Sequence, residues 1–164
     1  MLSNHVSDQA RSTLKIVQDD LRGSDIKALL EVHLKFARAS SPSCSVHALD
    51  IDRLKDPSIT FWSARHDGRL IGCIALKELS STHGEIKSMH TASKARQTGV
   101  GHVLLDHLLA IARDRGYQRV SLETGSTVPF APARRLYERF GFVQCPPFAD
   151  YVEDGFSVCM TKEI

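Results

Sequence analysis

Residues 96–116 read RQTGVGHVLLDHLLAIARDRG, and their order decides how the rest of the chain folds. Val100, Leu104, Leu108 and Ile111 recur at helical spacing and make one apolar stripe. Arg113 and Arg115 fall in the last turn, where cations suit the helix dipole, and Gly116 can stop it. The pattern predicts a helix from Gly99 to Arg115. At its start, Gly99 and Gly101 let a ligand come close to the backbone. The unpaired amides there, with the dipole, favour a phosphate group. Arg96 can add charge-assisted hydrogen bonds.

Three phosphate-binding patterns compete for this segment. A Walker loop needs Gly-Lys-Ser/Thr at its end, and Gly101 is followed by His102-Val103. A dinucleotide fingerprint fits Gly99 and Gly101 and would use Glu123 for the ribose. Its third glycine is Leu104, however, and too little chain follows for a second βαβ half. The third reading is coenzyme A, on the resemblance of Arg-x-x-Gly-x-Gly, at Arg96, Gly99 and Gly101, to a known pyrophosphate loop.

Outward from the helix, a strand is predicted over Arg119–Thr124 and another over Glu85–Thr91. Earlier, Thr60–Arg65 and Leu70–Leu76 flank His66-Asp67-Gly68, a strong hairpin signal. A turn is placed at Ser80–Gly84. Near the start, a short strand over Thr13–Gln18 leads to a helix capped by Ser24 or Asp25, with Ile26, Leu29, Leu30, His33, Leu34 and Ala37 on one face. Residues Ser40–Pro57 are irregular, with a short helix around Asp50–Lys55. Pro132 opens a last helix, which Gly141 ends, and Phe156–Thr161 closes the chain as a strand. Hairpins first and helical connections later predict a mixed α/β sheet with helices on its faces.

At 164 residues, with 42% hydrophobic and 24% charged, the sequence suits one core, and we expect residues 1–164 to form a single domain. The 21 basic and 19 acidic residues are interspersed, which gives no electrostatic case for nucleic acid or membrane partners. No run approaches the roughly 18 apolar residues of a membrane span, and no signal-peptide pattern opens the chain. Cys44, Cys73, Cys145 and Cys159 lack the close spacing of zinc or redox motifs. The eight histidines are scattered, with His102 and His107 out of step for adjacent helical turns. We expect no metal, reduced thiols and a cytoplasmic protein.

A second motif sharpens the first. The run Ala133-Arg134-Arg135-Leu136-Tyr137-Glu138-Arg139-Phe140-Gly141-Phe142 resembles the Ala-x-x-Leu-Tyr-x-x-x-Gly-Phe helix of the GNAT (GCN5-related N-acetyltransferase) superfamily. Arg96, Gly99 and Gly101 resemble its pyrophosphate loop, and the element order fits nearly the whole chain. The resemblance implies a V-shaped split between the strands Glu85–Thr91 and Arg119–Thr124, with the pantetheine arm of acetyl-CoA in the gap. It implies cofactor contacts from Met89, His90, Thr91, Arg96, Gln97, Thr98, Gly99, Val100, Gly101, His102, Ala133 and Arg134. Many members pair, so a homodimer is compatible with it. Phe130 stands where the family often has asparagine, and Thr124 or Ser126 would supply that hydrogen bond instead.

The implied reaction is direct acetyl transfer to a primary amine of a small molecule, amino acid or peptide N-terminus, without an acetyl-enzyme. An alkyl amine, of pKa about 10.4, is protonated at neutral pH, so a base must take its proton. Glu85, which opens the central strand, is the first candidate, and Glu123 the second. Tyr137 is the candidate acid for the leaving thiolate. Acceptor recognition falls to Ser43–His47, the first hairpin and Phe148–Tyr151. A coenzyme A sensor without turnover, or another nucleotide-binding protein, are the rival readings.

Overall fold

The computed structural model describes residues 14–42 and 45–164; Thr13, Ser43 and Cys44 lie outside them. The Asp67-Gly68 hairpin organises the sheet. Their φ values of +49° and +76° are the left-handed pair that lets a two-residue turn follow the twist of its strands. The turn joins β2 (Ile59–His66) to β3 (Arg69–Ser80). β1 (Leu14–Gln18) and β4 (His83–Thr91) pair antiparallel on the outer sides of β2 and β3. β5 (Arg119–Gly125) runs parallel to β4, followed across the sheet by β7 (Ser157–Glu163) and the short β6 (Val143–Cys145). The order is β1-β2-β3-β4-β5-β7-β6, a mixed, mostly antiparallel sheet of the expected class.

Helices cover both faces: α1 (Ser24–Ser40) and α2 (Ile51–Leu54) on one, α3 (Val100–Asp114) and α4 (Ala131–Arg139) on the other. The α3 stripe is fully buried at Leu104 and Leu108, packed in one cluster with Ile74, Leu76, Ile86, Val120 and Leu122. Strand side chains alternate, so Cys73 and Ala75 face the other way. There they meet Ile26 and Leu30 of α1 and Leu54 of α2. Each such aliphatic side chain contributes about 1.5–3 kcal/mol when buried.

Several boundaries differ from the sequence reading. Gly23 is the N-cap of α1, with no side-chain cap. Asp25 instead accepts from the Ile26 amide and pairs with Arg65 at 2.6 Å, so its carboxylate is committed across the fold. The turn placed at Ser80–Gly84 shrinks to Ser81 and Thr82 between strands. Lys77 pairs with Glu85 and Glu78 with Gly84, and backbone pairing does not need apolar side chains. The short helix starts at Ile51, after Asp50, whose carboxylate caps it by accepting from the Arg53 amide. β7 begins after Phe156 and runs to Glu163.

The feature that positions the site lies between β4 and β5. Their parallel pairing ends at Ile86 with Leu122. Just beyond, β4 bulges: its register on β3 jumps from Lys87 with Ala75 to His90 with Cys73. Ser88 takes φ +50° there. An extra residue in one strand bends it and leaves ladder groups unpaired. The two strands then diverge into the expected V.

Candidate active site

A cleft of about 710 Å³ opens at this divergence. Lys87 to Thr91 line it from β4 and Glu123 to Gly125 from β5, with the α3 N-terminus, α4, Phe36, Ala37 and Ser45–Ala48 completing the lining. At the α3 end, Gly99 is the N-cap at φ +88°, with no side-chain cap. A left-handed cap costs a residue with a Cβ about 1–2 kcal/mol, which glycine avoids. The first amides of a helix lack intrahelical partners; here no side chain caps them, and Gly99 to His102 line the cleft. Arg96, Arg135 and Arg139 line the same cleft.

At the point of the V, Tyr137 of α4 is buried and its hydroxyl donates to Met89 Sδ of β4 at 3.4 Å. Burial raises its pKa. Across the split, Glu123 lines the cleft, and burial, the largest cause, lifts its carboxyl to about 7. Glu85 is only 2% exposed. Its Oε2 accepts from the Tyr151 hydroxyl at 2.7 Å and lies 3.2 Å from Lys87 Nζ. Lys87 Nζ in turn donates to the Tyr151 oxygen at 2.6 Å. Also lining the cleft, His33 and His90 meet Nδ1 to Nδ1 at 3.2 Å. Burial holds both at about 4, so at neutral pH one neutral ring donates and the other accepts.

The sequence profile described as Acetyltransferase (GNAT) family matches residues 26–142. The chain belongs to that family. It is 51% identical to the uncharacterized N-acetyltransferase YsnE of Bacillus subtilis (strain 168), over 89% of this chain and 97% of that protein. Among solved structures it resembles a Klebsiella pneumoniae protein assigned to the acyl-CoA N-acyltransferases. That match has TM-score 0.78 and 26% identity, over 93% of this chain and 98% of the other. A GNAT family acetyltransferase of Elizabethkingia anophelis with acetyl-CoA bound superposes with TM-score 0.68 at 21% identity, over 93% and 99%. The last shows the fold alone. Together they identify an acyltransferase of the N-acetyltransferase kind.

In this GNAT chain most of the residues singled out by sequence do come together. Met89, His90, Thr91, Arg96, Gln97, Gly99, Val100, Gly101, His102, Ala133 and Tyr137 all line the cleft. Three candidates stand off it. Thr98 turns its hydroxyl onto the Ala95 carbonyl. Arg134 donates to the carbonyls of Gly125 and Thr127 at 2.6 and 3.0 Å, tying α4 to the β5 loop. Glu85 is closed off by Lys87 and Tyr151. Phe130 packs its ring against Gly125 and, edge-on, against Phe36.

Sequence reasoning gave no site role to His33, Phe36 or the outward pair Arg135 and Arg139; Lys87 is legible there only as an ion-pair partner for Glu85, which it is. The helical face would have picked out the arginines, which lie one turn apart, and two-residue spacing along one strand puts Lys87 on the same face as Glu85. Among the described residues no group of three or more potential ligands could hold a metal, and no helix is long and apolar enough to cross a membrane. The described cysteines, Cys73, Cys145 and Cys159, are free thiols.

Proposed function

We propose that the protein transfers the acetyl group of acetyl-CoA to a primary amine by direct attack, in one catalytic domain in a reducing, cytoplasmic compartment. The observation that carries this reading is the meeting of three groups in one cleft. They are the uncapped α3 N-terminus, the Tyr137 hydroxyl at the point of the V, and the half-buried Glu123 carboxyl across from it. An acetyl-CoA-bound member of the family with the same fold supports the choice of donor.

In this reading the α3 amides and Arg96 hold the diphosphate. The backbone of β4 from Met89 to Thr91 lines the pantetheine arm. The acceptor enters from the α1 side, past Phe36 and His47. Glu123, with a carboxyl poised near neutrality, removes the ammonium proton, and the neutral amine attacks the thioester carbonyl. Backbone amides freed at the Ser88 bulge meet the charge that develops on its oxygen. The carbon–sulfur bond then breaks, and Tyr137 gives its proton to the departing thiolate. Glu85, locked in its ion pair, is a charge partner rather than the base.

Calorimetric titration with acetyl-CoA, with NAD and ATP as controls, tests the donor. A thiol-release screen across small amines, amino acids and peptides then tests the acceptor. Selective acetyl-CoA binding followed by amine-dependent thiol release is expected. Binding of NAD or ATP in preference to acetyl-CoA overturns the reading.

A further inference from the structure

Resting on the assignment of Glu123 as base, we propose that the closed Glu85–Tyr151–Lys87 triangle is a positioning device that pins the Lys87 ammonium beside Glu123 and so sets the pH at which that carboxylate can take a proton. Glu85 pairs with Ser121 and Ile86 with Leu122 in the parallel ladder. Lys87 and Glu123 are therefore the next residues along each strand, at the first open rung of the split. Both side chains project to the face that Glu85 shares.

The triangle itself leaves Lys87 little freedom. Its side chain is 11% exposed, and its ammonium lies within 3.2 Å of both Glu85 Oε2 and the Tyr151 oxygen. Tyr151 comes from the loop between β6 and β7, 66 residues from Glu85. That loop is held down by Asp154, which accepts from the Ser45 hydroxyl at 2.6 Å. A flexible lysine is thus fixed at three points: strand, carboxylate and phenol. An ammonium held this way, in a medium of low effective dielectric, acts on a neighbouring carboxylate far more strongly than a solvated one.

Other groups face Glu123 too. From β4 come Lys87, which favours its charge, and Glu85, which opposes it; from the loop, Asp154 opposes it. Tyr151, Cys159 of β7 and Tyr137 of α4 are uncharged neighbours whose own ionisation Glu123 opposes. The Ser157 hydroxyl, placed to donate to it, also favours its charge, more strongly than Lys87 does. His47 faces Lys87, Glu85 and Asp154. Only Lys87 brings a positive charge among these. It follows that removing the cation and removing its counter-carboxylate must move Glu123 in opposite directions.

The test is a 13C NMR titration of glutamate carboxyl groups in the full chain, with the Glu123 resonance assigned by its loss in Glu123→Gln. In the wild type the midpoint is expected near 7. Lys87→Met should raise it and Glu85→Gln should lower it, each by about one pH unit. Lys87→Arg, which keeps the charge, should leave it in place. Loss of packing alone would not give shifts of opposite sign with rescue by arginine. Midpoints that stay put, or that move the same way in Lys87→Met and Glu85→Gln, overturn the proposal. The titration needs no acceptor, so its result stands apart from the base assignment. Full turnover by Glu123→Gln would sink that assignment instead.

Discussion

The Tyr137 hydroxyl donates to Met89 Sδ across 3.4 Å, so a phenol from α4 reaches the strand that forms one wall of the split. Thioether sulfur is a weak acceptor, and a buried hydroxyl so poorly partnered is free to exchange it for a stronger one. A thiolate released at the point of the V is such a partner. Tyr137→Phe keeps the ring, including its edge contact with Phe142, and deletes only the donor. Turnover should fall by about 10²-fold or more, while acetyl-CoA affinity and Tm stay near wild type. Unchanged kcat across the pH range would remove Tyr137 from proton transfer.

Legibility in the sequence followed the range of the interactions. Asp67-Gly68 and Gly99 were readable because a positive φ is a local demand, and the α3 stripe because burial repeats every turn. Strand ends were less readable, since β3 continues through Lys77 and Glu78 on the strength of pairing with β4. Which of Glu85 and Glu123 opens onto the cleft was not readable at all. Both are strand glutamates, and what separates them is Tyr151, a contact between residues far apart in the chain. Arg134 and Arg135 are neighbours that point to different surroundings, which a motif written as letters does not distinguish.

Glu123 gives a prediction in activity and another in stability. Its pKa of about 7 means the acetylation rate should climb with pH through that value, as the carboxylate form fills. Glu123→Gln should abolish this limb and cost about 10²-fold or more in kcat. For stability the sign runs the other way. A carboxyl whose pKa is raised on folding holds its proton more tightly in the native state, so wild-type stability falls as pH rises from the unfolded value, about 4.5, to about 7. Glu123→Gln escapes that loss. Its Tm should therefore gain on the wild type between pH 5 and pH 8. Parallel Tm curves for the two proteins would contradict the raised pKa.

Gly99 tests the phosphate cradle through the backbone. A Cβ there would meet no atom within 4 Å, so Gly99→Ala causes no clash and its cost is the left-handed φ alone, about 1–2 kcal/mol. The cap should relax toward negative φ and turn the first α3 amides away from the ligand. We expect about a tenfold loss of acetyl-CoA affinity with a modest fall in Tm, read by calorimetry and thermal melting. Wild-type affinity would show that the ligand does not depend on this cap.

Arg96 tests the same end through charge. It lines the cleft, and among the described residues it makes no ion pair within the chain, so the fold has little to lose when it is removed. Charge-assisted hydrogen bonds to phosphate are worth about 1.5–3 kcal/mol, which corresponds to a loss of roughly ten- to hundredfold in acetyl-CoA affinity for Arg96→Ala. The loss should shrink as ionic strength rises, because salt screens an exposed contact. It should also be absent for acetyl-pantetheine, which carries the thioester arm without the diphosphate. Equal losses for both donors would place Arg96 against the arm rather than the phosphates, and unchanged affinity for both would take it out of the site.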